Sequence, residues 1–319
     1  MNRYLFKAHM SEIINLPVDG GHVLKIERSG NPNGVPVFLL HGGPGAGANW
    51  DNKKLFDLKY YNVFIYDQRG CGASIPLAEI NRNTTQYLLT DIREMFSHFG
   101  IDKAMFVGGS WGATLALLYA KQYPESVLAL ILRGTFLART QDLEWFLSDE
   151  GVARLIPSDY KDFLKVVGEI ADVSDAKSII TSVFDALISG DDNKKSQVTI
   201  AWAKWSWAVL NFSFDKKIEF YVNSSDEIYT SVLIELHYAR NNYFLTEEIL
   251  ENIKNIITVP TTLIHGSRDV MCLPEASWVL SNSFKDVVFQ LVHGGGHLSS
   301  DPKIREAMID AIEVMKTRI

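Results

Sequence analysis

The strongest constraint on the fold is a serine set among glycines between two apolar segments. Residues 106–120 read FVGGSWGATLALLYA, so an apolar run stops at two glycines, presents Ser110, and resumes as Ala and Leu at helical spacing. Glycine is favoured where two backbones pass close together or where φ is positive. Strand, Gly-Gly-Ser-Trp-Gly and helix therefore predict a sharp turn that raises a nucleophilic hydroxyl above the carboxyl edge of a sheet.

The chain around this turn alternates short apolar runs with helical stretches. The runs predicted to be strands are residues 22–30, 36–43, 61–70, 104–110, 127–134, 261–269 and 287–295. The helices predicted between and after them are residues 84–100, 112–124 and 301–317. Solidly apolar strands that alternate with helices favour a mainly parallel sheet, covered on both faces.

The alternation stops between residues 136 and 250, where the sequence is rich in Trp and Tyr. Helical stretches are predicted there at residues 160–171, 197–212 and 225–239, with loops at 172–178 and 189–196. No convincing strand is found in this segment. We therefore predict a core formed by residues 1–135 and 251–319 and an inserted helical cap at 136–250.

Composition excludes several classes of protein. The 319 residues carry a formal net charge of -7 with both signs interspersed, which argues against a nucleic-acid-binding surface. No segment is apolar for long enough to cross a bilayer, and the amino terminus lacks the features of a signal peptide. We expect a cytoplasmic protein without membrane contact. Cys71 and Cys272 fit no metal or redox spacing and are predicted to be free thiols.

A serine hydroxyl becomes a nucleophile only when a base removes its proton. Of the eight histidines, His297 is preferred because it follows three glycines after the last predicted strand and precedes the final helix. His293 is the alternative. A metal site at this pair is disfavoured because no carboxylate or cysteine cluster accompanies it, and no metal or other cofactor is expected.

The base needs a carboxylate to orient it and to stabilise its charged form. Asp269 directly follows the predicted strand TTLIHG, at the end of the sheet where active-site loops gather. The order Ser110, Asp269, His297 along the chain is the order expected of α/β-hydrolases. The fold class predicted is therefore the α/β-hydrolase fold with an inserted cap.

A site for acyl transfer also needs donors for an oxyanion. The glycines of HGGPGAG at residues 41–47 follow a predicted strand, and we assign the donors to the N–H groups of Gly43 and Trp111, with Gly42 close behind. Loss of one such donor costs on the order of 3 kcal/mol. A phosphate-binding loop is a weaker interpretation, because no Gly-Lys-Ser/Thr follows these glycines.

Five motifs together resemble one known family. HGGPG at 41, DQRGCGAS at 67, GGSWG at 108, LRGTF at 132 and RD at 268 with Cys272 after it are similar to proline iminopeptidases, also called prolyl aminopeptidases, within the α/β-hydrolases. The resemblance covers nearly the whole chain. It implies removal of an N-terminal proline from small peptides without a metal, through an acyl-enzyme on Ser110 with Asp269 and His297.

The resemblance also implies substrate-binding residues in the cap. ELHYARNNYF is similar to the family's Glu-x-His-Tyr stretch and makes Glu235 the anchor for the substrate ammonium. Phe136, Trp145 and Phe146 are candidates for the proline pocket, with packing inside the cap as the alternative. One departure is Ser206, which stands where the family's Trp-x-x-Trp-Glu pattern places a second glutamate.

Two further assignments and two further functions stay open at this point. Asp67 and Arg69 are expected to brace the loop beside the site through hydrogen bonds and an ion pair. Ser206 makes an esterase or amidase of the same fold, acting on substrates without a free amine, an alternative to the aminopeptidase. A noncatalytic binding protein on this fold is a third hypothesis. The oligomeric state is open, with a homo-oligomer among the alternatives.

Overall fold

A computed structural model of the chain describes residues 11–213, 219–220, 224–251, 253 and 258–319. Residues 1–10, on which the expectation about a signal peptide partly rests, lie outside this set. So do residues 252 and 254–257, which follow the predicted end of the cap. Within the described ranges, no helix combines the length and the apolar character needed to span a membrane.

Eight strands form a single sheet. They are β1 (Ser11–Val18), β2 (His22–Gly30), β3 (Val35–Leu40), β4 (Tyr61–Tyr66), β5 (Ala104–Gly109), β6 (Val127–Arg133), β7 (Thr261–Gly266) and β8 (Val287–Val292). Their order across the sheet is β1-β2-β4-β3-β5-β6-β7-β8. Strands β3 to β8 run parallel, and β2 is antiparallel to both of its neighbours. This arrangement confirms the predicted α/β architecture.

Strand β1 is the one strand of the sheet that the sequence pattern did not predict. Its segment SEIINLPV contains a proline, and most of its side chains are exposed. It pairs only with β2, in register from Ser11 opposite Ser29 to Val18 opposite His22. An antiparallel edge strand needs no apolar cover on both faces, so its composition resembles that of a loop.

Nine helices accompany the sheet in the described ranges. They are α1 (Thr85–Phe99), α2 (Trp111–Gln122), α3 (Thr140–Leu147), α4 (Pro157–Val167), α5 (Ala176–Ile188), α6 (Asp192–Leu210), α7 (Ser225–Arg240), α8 (Pro274–Ser281) and α9 (Pro302–Met315). The predicted helices correspond to α1, α2, α4, α6, α7 and α9. Gly100 ends α1 in the left-handed conformation with φ of 64°, the role expected of a glycine at that position.

The two faces of the sheet bury separate apolar clusters. Phe38, Phe64 and Phe106 point to the face that packs on α1 and α2, and this cluster continues into the helices inserted after β6. The intervening residues, such as Val37 and Val107, point to the other face, where α9 covers them. Alternation of buried side chains to both faces explains why these strands are apolar throughout.

Helices α3 to α7 lie between β6 and β7 in the chain, and α6 packs against α4, α5 and α7. The loops predicted at 172–178 and 189–196 are wrong in part, because helices begin inside both. Asp175 and Asp191 accept hydrogen bonds from the first amides of α5 and α6, so polar residues that suggested loops are N-caps. The limits of the cap itself stay a prediction.

A buried ion pair fixes the segment that follows β4. Arg69 donates to Asp91 of α1 through Nε at 2.7 Å and through Nη2 at 2.6 Å, and neither side chain is exposed. Its Nη1 also donates to the carbonyl oxygens of Asp19 and Arg82. One guanidinium therefore holds three separate parts of the chain in place, in agreement with the predicted bracing role.

We expect Asp91→Asn to lower the free energy of unfolding by about 3–5 kcal/mol, because Arg69 would keep a buried charge without its counterion. Urea denaturation measures the change. The matched control is Arg82→Met, which removes a half-exposed ion pair with Asp19 and should cost less than about 1 kcal/mol. Equal losses in the two variants would contradict a dominant role for the buried pair.

Candidate active site

The predicted turn at Ser110 is present between β5 and α2. Ser110 adopts φ of 55°, a left-handed conformation that costs a non-glycine residue roughly 1–3 kcal/mol. Its N–H donates to the carbonyl oxygen of Arg133 at 3.0 Å, which ties the turn to β6. A Cβ at Gly112 would lie 2.0 Å from the carbonyl oxygen of Leu40, and one at Gly108 would lie 2.3 Å from that of Gly112. These close approaches explain the glycines around the serine.

Asp269 and His297 are brought together by the loops that follow β7 and β8, at the same edge of the sheet. Nδ1 of His297 lies 2.7 Å from Oδ2 of Asp269, and both residues are buried. Oδ1 of the same carboxylate accepts from the backbone N–H groups of Met271 and Cys272, at 3.1 and 3.0 Å. Because the carboxylate is an acceptor, Nδ1 of His297 carries a proton and its Nε2 is left as the basic atom.

The protonation states follow from burial and from these contacts. Burial alone would raise the pKa of Asp269, but the neighbouring His297 and hydrogen bonds from His265 and His297 outweigh it and hold the pKa well below its ordinary value. Burial lowers the pKa of His297 below its ordinary value, although Asp269 opposes the change. A neutral imidazole beside an ionised carboxylate at neutral pH is the state that a general base requires.

The HGGPG segment passes directly over Ser110. Gly42 approaches so closely that a Cβ there would lie 3.3 Å from the Cβ of Ser110. Gly43, in the same loop, has φ of 109°, which a side chain would disfavour. Trp111 is the first residue of α2, where helix amides have no partner within the helix. The geometry thus places both assigned donor residues beside the serine.

Two networks of hydrogen bonds hold this loop. Nδ1 of His41 contacts the carbonyl oxygen of Gly42 at 2.8 Å, and its Nε2 accepts from the N–H of Gln68 at 3.0 Å. The Gln68 side chain donates to the carbonyl oxygen of His41 and accepts from Nε1 of Trp111. The loop and the start of α2 are therefore linked through one glutamine.

Asp67 supplies the second network. Its carboxylate accepts from the N–H of Ala48 at 2.7 Å and from the N–H of Ala73 at 2.8 Å. A Cβ at Gly72 would lie 2.2 Å from the Cγ of Asp67, so only glycine fits there. As predicted, Asp67 braces the loop beside the site.

A cavity of about 480 Å³ opens above Ser110 and His297. Gly42 and Gly43 line it from the core. The described residues that line it from the segment inserted after β6 are Trp202, Ala203, Ser206, Trp207, Leu210, Phe220, Ile228, Ser231, Val232 and Glu235. Its volume suits a small ligand, and its walls are mainly apolar with a few polar groups.

Glu235 is the one acid among the described residues that line this cavity. Burial raises its pKa to about 7, and the nearby Trp202 indole opposes the rise. No described Lys or Arg forms an ion pair with it. Ser206 lines the same space, and its Oγ has no hydrogen-bond partner among the residues described. A desolvated carboxylate of this kind gains most from a cation brought by a ligand.

The three aromatic candidates lie outside this cavity. Phe146 packs on Trp202 and Trp205, with ring centroids 5.9 and 5.8 Å apart, inside the cluster of helices. Phe136 and Trp145 line a separate space too small for a proline ring, beside Cys272. Their role in substrate binding stays a prediction. The apolar side chains that do face the cavity include those of Trp207, Phe220 and Val232, which the sequence patterns did not single out.

The remaining candidate residues, the two histidines and the two cysteines, differ in their exposure to solvent. His293 is exposed and far less enclosed than His297, which favours the original preference. Both cysteines are free thiols, as predicted, and the structure shows that both are buried. Burial raises the pKa of the Cys272 thiol well above its ordinary value, although a hydrogen bond with Ser110 opposes this. In the described part of the chain, no three His, Cys, Asp or Glu side chains converge to hold a metal ion.

Two residues near the triad were not assigned from the sequence. Arg133 at the end of β6 donates through Nη1 to the carbonyl oxygen of His297, and a Cβ at Gly109 would meet its guanidinium. His265 in β7 contacts Asp269. Both lie at the carboxyl ends of their strands, at the edge of the sheet where Ser110 also lies. Position at this edge is the signal in the sequence that could have identified them.

Comparison with known proteins agrees with this geometry. Residues 35–303 match the family described as alpha/beta hydrolase fold. A probable proline iminopeptidase of Leptolyngbya boryana is 33% identical over 300 residues, covering 93% of this chain and 92% of that protein. The proline iminopeptidase of Neisseria gonorrhoeae is 34% identical over 309 residues, covering 95% and 96%.

Among solved structures, an alpha/beta fold family hydrolase from Bacillus anthracis superimposes with a TM-score of 0.63 at 18% identity, covering 95% of this chain and 99% of that one. At that identity the likeness concerns the fold alone. The sequence matches extend over nearly all of both partners and include the inserted helices. The chain belongs to the α/β-hydrolases and, within them, to the proline iminopeptidase family.

Proposed function

We propose that this protein is a serine aminopeptidase that releases N-terminal proline from short peptides through an acyl-enzyme. The observation that carries the proposal is a single cavity with Ser110 and His297 at one wall and the desolvated carboxylate of Glu235 at another. A free α-amine and the adjacent carbonyl carbon of a small peptide could occupy these two places together. The full-length similarity to proline iminopeptidases supports the same reaction.

The first half of the reaction forms the acyl-enzyme. Nε2 of His297 takes the proton of Ser110 as Oγ attacks the carbonyl carbon of the proline residue. Asp269 accepts the hydrogen bond from Nδ1 and stabilises the imidazolium that results. The carbonyl oxygen gains negative charge and is held by the N–H groups of Gly43 and Trp111, at the amino end of α2.

The second half releases both products. The imidazolium of His297 gives its proton to the leaving nitrogen, so the C–N bond breaks and the shortened peptide departs. Water then attacks the ester on Ser110, with His297 taking one of its protons, and the serine leaves as the hydroxyl. Proline is released with its carboxylate formed from the former carbonyl.

Substrate selection depends on Glu235. An N-terminal ammonium placed near this carboxylate would replace the water it has lost and favour its ionised form. A blocked amine would leave the carboxylate desolvated and unpaired, which costs affinity. The esterase or amidase alternative needs no such anchor, and the two are separated by the following experiment.

We expect proline p-nitroanilide to be hydrolysed and its N-acetylated form to be rejected. Glu235→Gln should lower kcat/KM for the free amine by about 10- to 100-fold, the worth of a charge-assisted contact. In the unchanged protein, kcat/KM should rise through pH 7 as Glu235 ionises, and this inflection should vanish in the variant.

Glu144→Gln, at an exposed position of α3, is the matched control and should change neither value. Ser110→Ala should abolish hydrolysis. Equal rates on the free and the acetylated compound would favour the esterase or amidase, and absence of any Ser110-dependent hydrolysis would favour the noncatalytic hypothesis.

Glu235 should also reduce stability at alkaline pH. Its pKa of about 7 in the folded protein lies above the value of 4.5 expected for an unfolded chain, so the folded state binds more protons between these values. Stability due to this group is therefore present below pH 4.5 and is lost as the pH rises through 7. We expect Glu235→Gln to raise the free energy of unfolding by roughly 1–3 kcal/mol at pH 8 and to have little effect at pH 4.5. Urea denaturation at both pH values measures this, and a loss of stability at pH 8 would contradict it.

Bulky thiol reagents should inhibit through Cys272, because a group on its sulfur would fill the space beside Ser110. The reaction should be slow, since burial raises the pKa of the thiol well above its ordinary value. Cys272→Ala should stay active and become insensitive, whereas Cys71→Ala should stay sensitive. Peptide mass spectrometry identifies the modified residue. Full activity with Cys272 completely modified would refute the prediction.

A further inference from the structure

A second imidazole contacts the carboxylate of the proposed triad. Nε2 of His265 lies 3.3 Å from Oδ2 of Asp269 and 2.8 Å from the carbonyl oxygen of Cys272. His297 contacts the same Oδ2 from the other side at 2.7 Å. His265 is completely buried. Asp269 is therefore shared between two histidines, of which the reaction above uses only one.

The surroundings of His265 determine where its proton lies. Both partners of Nε2 are acceptors, so Nε2 carries the hydrogen. Nδ1 lies 2.7 Å from Oγ of Ser277, and that hydroxyl lies 2.8 Å from Oγ1 of Thr135. The Ser277 hydroxyl donates to Oγ1 of Thr135 and does not fix the hydrogen on the ring. The two acceptors at Nε2 therefore select the tautomer that presents an N–H to Asp269.

We infer that His265 is a positioning residue that takes up part of the charge on Oδ2 of Asp269 and thereby sets the pH at which His297 becomes a base. A hydrogen bond donated to a carboxylate stabilises its ionised form and leaves less negative charge for any other partner. With His265 in place, the imidazolium of His297 is less favoured, so the base stays neutral and competent at lower pH. The inference rests on the proposed function of the triad.

The other ionisable groups near Asp269 and His297 lie in three elements of the structure. Arg133, at the end of β6, disfavours a charge on His297, and its charge also acts on Asp269. Cys272, in the loop after β7, and Asp142 of α3 complete the set, and the thiol of Cys272 stays protonated because of burial. None of these donates a side-chain hydrogen bond to Asp269 among the described contacts, so the position of His265 is distinct.

The test compares two replacements of His265. His265→Gln keeps an N–H near the position of Nε2, and His265→Leu provides none. The kcat for proline p-nitroanilide at saturation is measured against pH, because in that complex Glu235 is paired with the ammonium and the acidic limb reports His297. We expect the limb of His265→Leu to move to higher pH by at least about half a unit, and that of His265→Gln to stay within about 0.3 units.

A purely structural role for His265 predicts a shift of the acidic limb in the opposite direction. If His265 only packed the loop, its removal would loosen Asp269, deprive His297 of its anionic partner and move the limb to lower pH. A downward shift, no shift, or equal limbs in the two variants would overturn the inference. His22→Leu removes another buried histidine, in β2, and should leave the limb unchanged while lowering stability.

Two further measurements keep the test decisive. If His265→Leu does not fold, His265→Met supplies a flexible side chain without a donor. In the unchanged protein with 15N-labelled histidine, NMR should show His265 protonated at Nε2 and not at Nδ1, and the reverse tautomer would refute the inference. Ser110-dependent hydrolysis of proline p-nitroanilide, with rejection of its N-acetylated form, would uphold the proposed function whatever these results are.

Discussion

The charge of Asp269 is the constraint on which the rest of the site depends. A carboxylate removed from water must be compensated by hydrogen bonds or it becomes protonated. Here two backbone amides hold one oxygen and two imidazoles hold the other. Those donors come from β7, the loop after it and the loop after β8, so the parallel pairing of these strands is a condition of the chemistry. In the proposed reaction, the hydroxyl at the strained turn of Ser110 depends on His297, which this carboxylate orients.

Two carboxylates in this region, the buried Asp269 and the partly buried Glu235, have opposite surroundings. Asp269 is surrounded by donors and has a lowered pKa, whereas Glu235 faces an apolar cavity and has a raised one. The first is already satisfied by the protein, and the second is left to be satisfied by a ligand. In the function proposed above, the first carboxylate orients His297 and the second recognises an amine.

Much of the fold, and the proximity of Asp269 to His297, could be predicted because local patterns and global structure agree. Apolar runs identified β2 to β8, and the glycines around Ser110 were explained by backbone contacts within about 2 Å of a missing Cβ. Strand β1 and helix α5 were not predicted, because an exposed edge strand and a helix capped by Asp175 resemble loops in composition. Sequence could not tell that Phe146 packs within the inserted helices or that His265 shares Asp269, because both depend on distances between remote segments.

The inserted helices have a consequence for how this enzyme can diverge. The proposed triad lies in loops of the sheet, whereas Glu235, the one acid among the described residues that line the cavity, lies on α7, in the segment inserted between β6 and β7. In the proposed function, bond cleavage and recognition of the amine therefore depend on separate stretches of sequence. On that proposal, substitutions along α6 and α7, as at Ser206, would change which amino-terminal residue is accepted and would leave the groups that cleave the bond unchanged.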